Sequence, residues 1–182
     1  MDWFEAWYES VIAFQPHSNQ QEADQKMILD EARRRTDIFD RYSNPRHCTA
    51  SAIIIGPRGI ILHNHKKFRI WIQPGGHIDQ GENPWDCALR ESAEETGLKA
   101  VHPANGPQLV NLSCHQAGEH YHMDLQYLLL GENREPVPPE GESQEIGWFQ
   151  IKEARSIADP SLAGTFENVM RLDLTEYLTQ ID

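Results

Sequence analysis

Three cysteines in 182 residues, Cys48, Cys87 and Cys114, are too few and too widely spaced for a disulfide framework or a CxxC zinc knuckle. They suit a reducing compartment, and the cytoplasm is the expected location. No apolar run approaches the ~18 residues of a membrane span. The opening Met1-Asp2-Trp3-Phe4-Glu5 has neither the basic region nor the apolar stretch of a secretory signal. Cations are scarce too: 16 Lys and Arg stand against 28 Asp and Glu, a formal net charge of −12. Long nucleic acids are gripped through many cationic contacts to phosphates, so a duplex or long-RNA binder is disfavoured. A phosphorylated ligand would have to be met locally, by a metal ion or a small basic cluster. Internal repeats and low-complexity segments are absent. What remains is an ordinary globular composition, long enough for one domain and a modest extension.

Trp3, Phe4, Trp7, Tyr8, Val11 and Ile12 fall at helical spacing and predict an amphipathic helix over residues 2–15. Gln15-Pro16-His17 ends it. Ser18 followed by Gln21 reads as a capping box that opens a second helix through about Phe39. Asn44-Pro45 closes the region, so residues 1–44 form an N-terminal helical extension, laid on the main domain or on a second subunit in a homodimer. Its aromatic residues read as packing or dimer contacts. Residues 45–182 then form the main domain. Ala50–Ile55, the turn Gly56-Pro57-Arg58-Gly59 and Ile60–His63 predict a hairpin. A strand over Arg69–Ile72 leads to the corner Pro74-Gly75-Gly76. Asn83 and Pro84 start a helix as cap and first turn, and Gly97 stops it. Further strands are predicted at Gln108–Ser113, Tyr121–Leu130 and Glu145–Gln150, then one C-terminal helix carrying Phe166 to Leu178. The fold class is α/β (α+β), a sandwich with a mixed sheet between helices.

The chemistry concentrates in Gly76-His77-Ile78-Asp79-Gln80-Gly81-Glu82 and, after seven further residues, Arg90-Glu91-Ser92-Ala93-Glu94-Glu95-Thr96-Gly97-Leu98. A tight glycine loop runs into a helix with three glutamates in five positions. Glu91 and Glu95 lie one turn apart on one face, and Glu94 flanks them. Like charges so placed repel by a few tenths of a kcal/mol per pair, and a cation between them relieves the repulsion. Oxygen-only ligands favour Mg²⁺, Mn²⁺ or Ca²⁺ over zinc. Arg90, four residues before Glu94, can brace it. An arbitrary E-x-x-E-E is more often a solvated helix face; here the context decides.

This segment resembles the Nudix box, G-x5-E-x7-R-E-U-x-E-E-x-G-U with U aliphatic. Gly76, Glu82, Arg90, Glu91, Glu94, Glu95 and Gly97 fill every fixed position, and Leu98 fits the last U. At residue frequencies of roughly 5–7% each, a chance match is on the order of 10⁻⁸ per window. Ser92 departs from the aliphatic pattern; it should face inward beside Trp85 and Leu89, where its hydroxyl can bond back to the carbonyl four residues earlier. The resemblance extends over His47–Asp182, and the first 44 residues lie outside it. It implies an α/β/α sandwich and a metal-dependent pyrophosphohydrolase. The implied cofactor is Mg²⁺ or Mn²⁺, held by Glu91, Glu94 and Glu95 with the Gly76 carbonyl; Glu82 and Arg90 would be positioning residues. The implied substrate is a small nucleoside diphosphate derivative: a nucleotide sugar, an ADP-ribose-like compound or a nucleoside triphosphate. The family commonly recruits an acid from a later loop, for which Glu142 comes first and Glu145 second; the general base stays open among Glu142, Glu145 and Glu91.

Two other features bear on substrate binding. In a strand His120, His122 and Asp124 share a face, where they could contact phosphates, hold a further metal ion or simply hydrogen-bond one another. Lys66 and Lys67, beside His63 and His65, form a small positive cluster that could meet a phosphate or be plain surface. Trp71 and Trp148 read as core, and nothing near Cys87 suggests a nucleophile. Two other functions compete. A prenyl-diphosphate isomerase-like enzyme would want a catalytic cysteine and a different metal set. A non-catalytic nucleotide-metabolite regulator would have lost box glutamates or gained a DNA-binding domain.

Overall fold

The computed structural model describes residues 2–181. Helices α1 (Trp3–Ala13) and α2 (Asn19–Arg34) come first, then the hairpin of β1 (Arg46–Gly56) and β2 (Gly59–Asn64). Next are β3 (Trp71–Ile72), β4 (Gly75–His77), α3 (Pro84–Thr96), β5 (Ala100–Val101), β6 (Gln108–Ala117), β7 (His120–Gly131) and β8 (Ile146–Phe149). The chain ends in α4 (Ile151–Ile157), a 3-10 turn, α5 (Ala163–Val169) and α6 (Leu174–Leu178). No helix among the described residues is long and apolar enough to cross a membrane.

One mixed sheet organises everything. β1 is central: it runs parallel to β7 over ten residue pairs and antiparallel to β2 and β4. β7 pairs antiparallel with β5 and β6, while β2 pairs with β3 and β8. Because side chains alternate along a strand, β1 and β7 present two different faces. Cys48, Ala50, Ala52 and Ile54, with Met123, Leu125, Tyr127 and Leu129, meet Trp7, Val11, Ile28 and Ile38 of the N-terminal segment and Cys87 and Ala88 of α3 in one core. Ile53, Ile55, Leu128 and Leu130 face the other way, against Ala154, Leu162, Phe166 and Val169 of the C-terminal helices. Further along that second face the residues turn polar: His47, Thr49 and Ser51 stand beside His122, Asp124 and Gln126.

Helices thus flank a mixed sheet, as the order of elements predicts. Residues 3–34 hold the expected pair of helices, and the aromatic side of α1 is covered within the chain: Trp7 is fully buried, its ring centroid 4.8 Å from that of Phe39. Four local expectations need correction. α2 stops at Arg34, five residues before Phe39, because Arg35 turns extended and the Ile38 carbonyl accepts from the Cys48 N–H at 2.7 Å, drawing this stretch onto β1. The capping box is half formed: Ser18 Oγ accepts from the Gln21 N–H, but Gln21 Oε1 accepts from the His17 N–H instead of that of Ser18. The strand expected from Arg69 starts at Trp71, since Arg69 has φ 54 and closes a turn onto His65. The single C-terminal helix is broken after Val169; the Asp173 carboxylate accepts from the Thr175 N–H and starts α6 afresh.

Candidate functional site

α3 is built to hold its acids in place. The Asn83 side chain accepts from the Asp86 N–H at 2.8 Å, Pro84 occupies the first turn, and Gly97 ends the helix at φ 66, the left-handed conformation glycine adopts without cost. The buried edge of α3 lies on the first face of the sheet, which points Glu91 and Glu95 toward the turn made by β4. Gly76 makes the close approach possible. A Cβ at this position would overlap the Glu91 carboxylate, so glycine is what lets backbone and carboxylate approach.

Arg90 ties the box together. Its Nε and Nη2 donate to the two oxygens of Glu82, both at 2.9 Å, and Nη1 donates to Glu91 at 2.8 Å and Glu94 at 3.2 Å. A further bond from Nη2 reaches the His77 carbonyl at 2.9 Å. Glu82 in turn accepts from the Asp79 N–H, fixing the loop. Burial pushes the Glu82 carboxyl up, but the Arg90 fork outweighs it and leaves the group below its ordinary value.

Glu91 and Glu95 are nearly enclosed, with side chains 13% and 17% exposed, while Glu94 is 56% exposed. Burial raises the Glu91 carboxyl against the pull of Arg90, and the charges of Glu94 and Glu82 push the same way. Glu95 is raised to about 8, first by burial, then by the charges of Glu91, Glu142 and Glu94; the Gly75 N–H, donating at 2.9 Å, opposes this. His63 Nε2 is 3.9 Å from Glu95 and gives no charge relief, because burial lowers its own pKa to about 4. Arg90 is thus shared among Glu82, Glu91 and Glu94, and Glu95 has no compensating cation among the described residues. Hard oxygen donors, partly dehydrated and mutually repelling around a glycine corner, fit a divalent ion.

A model of the NUDIX domain matches residues 45–169. The chain belongs to the Nudix family. A Lactococcus lactis protein named "Probable DHNTP pyrophosphohydrolase" is 29% identical over 109 residues, 57% of this chain and 63% of that one. The asymmetrical bis(5'-nucleosyl)-tetraphosphatase of Caenorhabditis elegans is 27% identical over 100 residues, 52% of this chain and 69% of that one. The crystal structure of a NUDIX-family hydrolase from Clostridium perfringens has the same fold, with a TM-score of 0.57 at 26% identity over 69% of this chain and 97% of that one. The match to the Lactococcus protein thus spans less than two thirds of that relative's length.

The other residues singled out in this Nudix sequence fall into three groups. Glu142 is half-buried and its charge reaches Glu95, whereas Glu145 is engaged by Arg69 at 2.8 Å and by the Asn64 amide at 3.1 Å. Lys66 and Lys67 lie on an exposed turn, Lys67 folded over the ring of Phe68. The row His120, His122 and Asp124 does share one face, but its members differ. The carboxylate of Asp124 is buried and accepts from Thr49, Ser51, Gln126 and Gln73; His120 and His122 instead face two histidines from elsewhere, His47 and His77. Those two were missed because neither belongs to a pattern in its own segment; their shared face exists only once β1, β4 and β7 pair. Ser92 faces inward as expected, yet its hydroxyl has no partner among the described residues. Burial raises the thiols of Cys48, Cys87 and Cys114, which removes nucleophilic thiolate from consideration.

Where the N-terminal segment meets the box loop, a cleft of about 490 Å³ opens. Trp3, Phe4, Phe39 and Tyr42 line it from the segment, and Ile78 to Glu82 line it from the loop.

Proposed function

We propose that this protein is a metal-dependent pyrophosphohydrolase acting on a small nucleoside diphosphate derivative. The observation that carries the reading is the pair of enclosed carboxylates at the Gly75-Gly76 corner: Glu91, which shares Arg90 with two other acids, and Glu95, which has no counter-cation among the described residues. Glu91, Glu94, Glu95 and the Gly76 carbonyl would hold the ion, Mg²⁺ or Mn²⁺ by donor type. When bound, such an ion offsets the charge of the diphosphate and acidifies the attacking water. The chain's own work is positioning. Arg90 locks Glu82, Glu91 and the loop carbonyl of His77 into one unit, so the acids keep their places while charge shifts on the substrate. Glu142, nearby and without a hydrogen-bond partner for its carboxylate among the described residues, is the proposed general base; Glu145 is tied to Arg69 and Asn64. One water adds to phosphorus, the bridging P–O bond breaks, and two phosphorylated products leave.

The aromatic cleft beside Asp79–Glu82 supports a substrate with a planar group, since Trp3, Phe4, Phe39 and Tyr42 offer stacking surface within reach of the box loop. Nucleotide sugars, ADP-ribose-like compounds and nucleoside triphosphates all satisfy this. The high thiol pKa values give no support to an isomerase using cysteine, and the intact acid cluster gives none to a purely regulatory binder. A panel of nucleoside diphosphate derivatives, incubated with Mg²⁺ or Mn²⁺ in ¹⁸O-water and resolved by mass spectrometry, tests the proposal. Both products of an anhydride cleavage should appear, with one ¹⁸O on one phosphate. Binding without turnover across the panel would leave the regulator reading standing and sink this one.

A further inference from the structure

The second face of the sheet carries a cluster that the box does not use. His47, His77 and His122 come from β1, β4 and β7, and each offers a ring nitrogen within 4.8 Å of the other two. Their ring centroids form a near-equilateral triangle with sides of 5.1, 5.1 and 5.0 Å. Strand register produces it. His47 is the direct partner of His122 in the parallel ladder, and His77 pairs with Thr49, the next residue of β1 on the same face.

The bland reading is three core histidines satisfied by hydrogen bonds. The bonding pattern opposes it. His47 is fully buried, and its Nδ1 lies 2.9 Å from the Asn44 carbonyl, which can only accept; Nδ1 therefore carries the proton and Nε2 presents a lone pair. That Nε2 is buried with no partner among the described residues, and so is Nε2 of His77. Buried polar atoms are rarely left so. An imidazole anchored through one nitrogen on a backbone carbonyl, with the other bare, is the arrangement by which proteins orient a metal ligand. Asp124, two residues from His122 on the same face of β7, is already occupied by four side chains.

We propose that His47, His77 and His122 form a second cation site that takes a borderline divalent transition ion such as Zn²⁺. Imidazole donors select such ions over Mg²⁺, so the two sites separate by donor chemistry: oxygen on one face of the sheet, nitrogen on the other. A tetrahedral site with bonds of about 2.0–2.1 Å has nitrogens roughly 3.3 Å apart, so the rings close in by at most about 1.5 Å. Three protein ligands leave the fourth corner for water or an anionic group. His120, its ring 5.1 Å from that of His47 and its Nδ1 also buried and without a partner among the described residues, stands beside the triangle. In a chain of net charge −12, a cation here would create a local anion-binding point where the sequence supplies few basic residues.

The test uses full-length protein without a histidine tag, stripped by chelator and titrated with Co²⁺ as a spectroscopic probe. One equivalent should give the intense visible bands of tetrahedral cobalt, be displaced by Zn²⁺, and persist in excess Mg²⁺. Glu95→Gln should keep this signal, whereas His77→Gln and His122→Gln should weaken binding at least about 100-fold while retaining wild-type circular dichroism. Should His122→Gln not fold, the half-buried His77 decides alone, and the Zn²⁺-induced rise in melting temperature, present in Glu95→Gln and absent in His77→Gln, gives a second readout. Only weak octahedral bands, or a signal lost with Glu95 and kept without His77, would overturn the site; either result leaves the hydrolase reading untouched.

Discussion

Replacing Glu95 by Gln should make the metal-free protein more stable while nearly abolishing turnover. The amide keeps the shape of the side chain and can still accept from the Gly75 N–H. Only the ionisation changes. In the folded protein without a divalent ion, burial and neighbouring charge hold the Glu95 carboxyl up to about 8, against about 4.3 for glutamate in an unfolded chain. Between these values the unfolded state binds fewer protons than the folded one, so stability falls as pH rises through the window and is fully present only below it. At 1.36 kcal/mol per pH unit the whole window is worth about 4–5 kcal/mol; solvent penetration reduces this to an effective gain of roughly 2 kcal/mol for the glutamine variant at pH 8. For a chain of this length that is about 4–8 °C in melting temperature. Melts in EDTA at pH 5, 6.5 and 8 should show the gap opening with pH, and Mg²⁺ should narrow it by binding the wild type alone. Turnover should drop at least ~100-fold. A variant that melts at or below wild type across this range in EDTA would refute the claim that Glu95 is an uncompensated acid.

Three other substitutions probe separate parts of the argument. Gly76→Ala should displace the Glu91 carboxylate and weaken Mg²⁺ binding about tenfold or more in isothermal titration, with the melting temperature in EDTA changed by only a few degrees; unchanged affinity would show that the close approach is irrelevant. Glu142→Gln should lower kcat about 10²-fold or more, while Glu145→Gln should cost about tenfold at most; a reversal would move the base to Glu145. Trp7→Ala removes a fully buried ring shared by the N-terminal helices and the sheet, and should cost about 3–5 kcal/mol in urea unfolding; a loss under 1 kcal/mol would mean that α1 is a detachable appendage.

Much of this was legible in one dimension because the box is local. Asn83, Pro84 and Gly97 bracket α3 with chemistry that acts within a few residues, and the spacing of Glu91, Glu94 and Glu95 follows from helical geometry alone. Features that depend on distant pairing were not. The turn at Arg69 and the recruitment of Ile38 by Cys48 shorten elements whose own residues would extend them. Whether α1 covers this chain or another could not be read from its amphipathic face, since both partners would look alike to Trp7. The histidine triangle is the clearest case: three strands supply one residue each, and only the parallel register of β1 with β7 together with the antiparallel register of β1 with β4 brings them together. Asp124 shows the converse. Its alternation with His120 and His122 is real, but donors from β1 and from Gln73 occupy its carboxylate.

β4 is three residues long, yet it serves both sides of the sheet. Gly76 leaves room for Glu91 on one side, and His77 turns its ring toward His47 and His122 on the other. Deleting one residue between Pro74 and His77 would exchange these duties, driving an imidazole into the space reserved for a carboxylate and withdrawing it from its two companions. That corner therefore tolerates neither insertion nor deletion, and library-based engineering of this protein should vary the neighbouring loops while leaving its register alone.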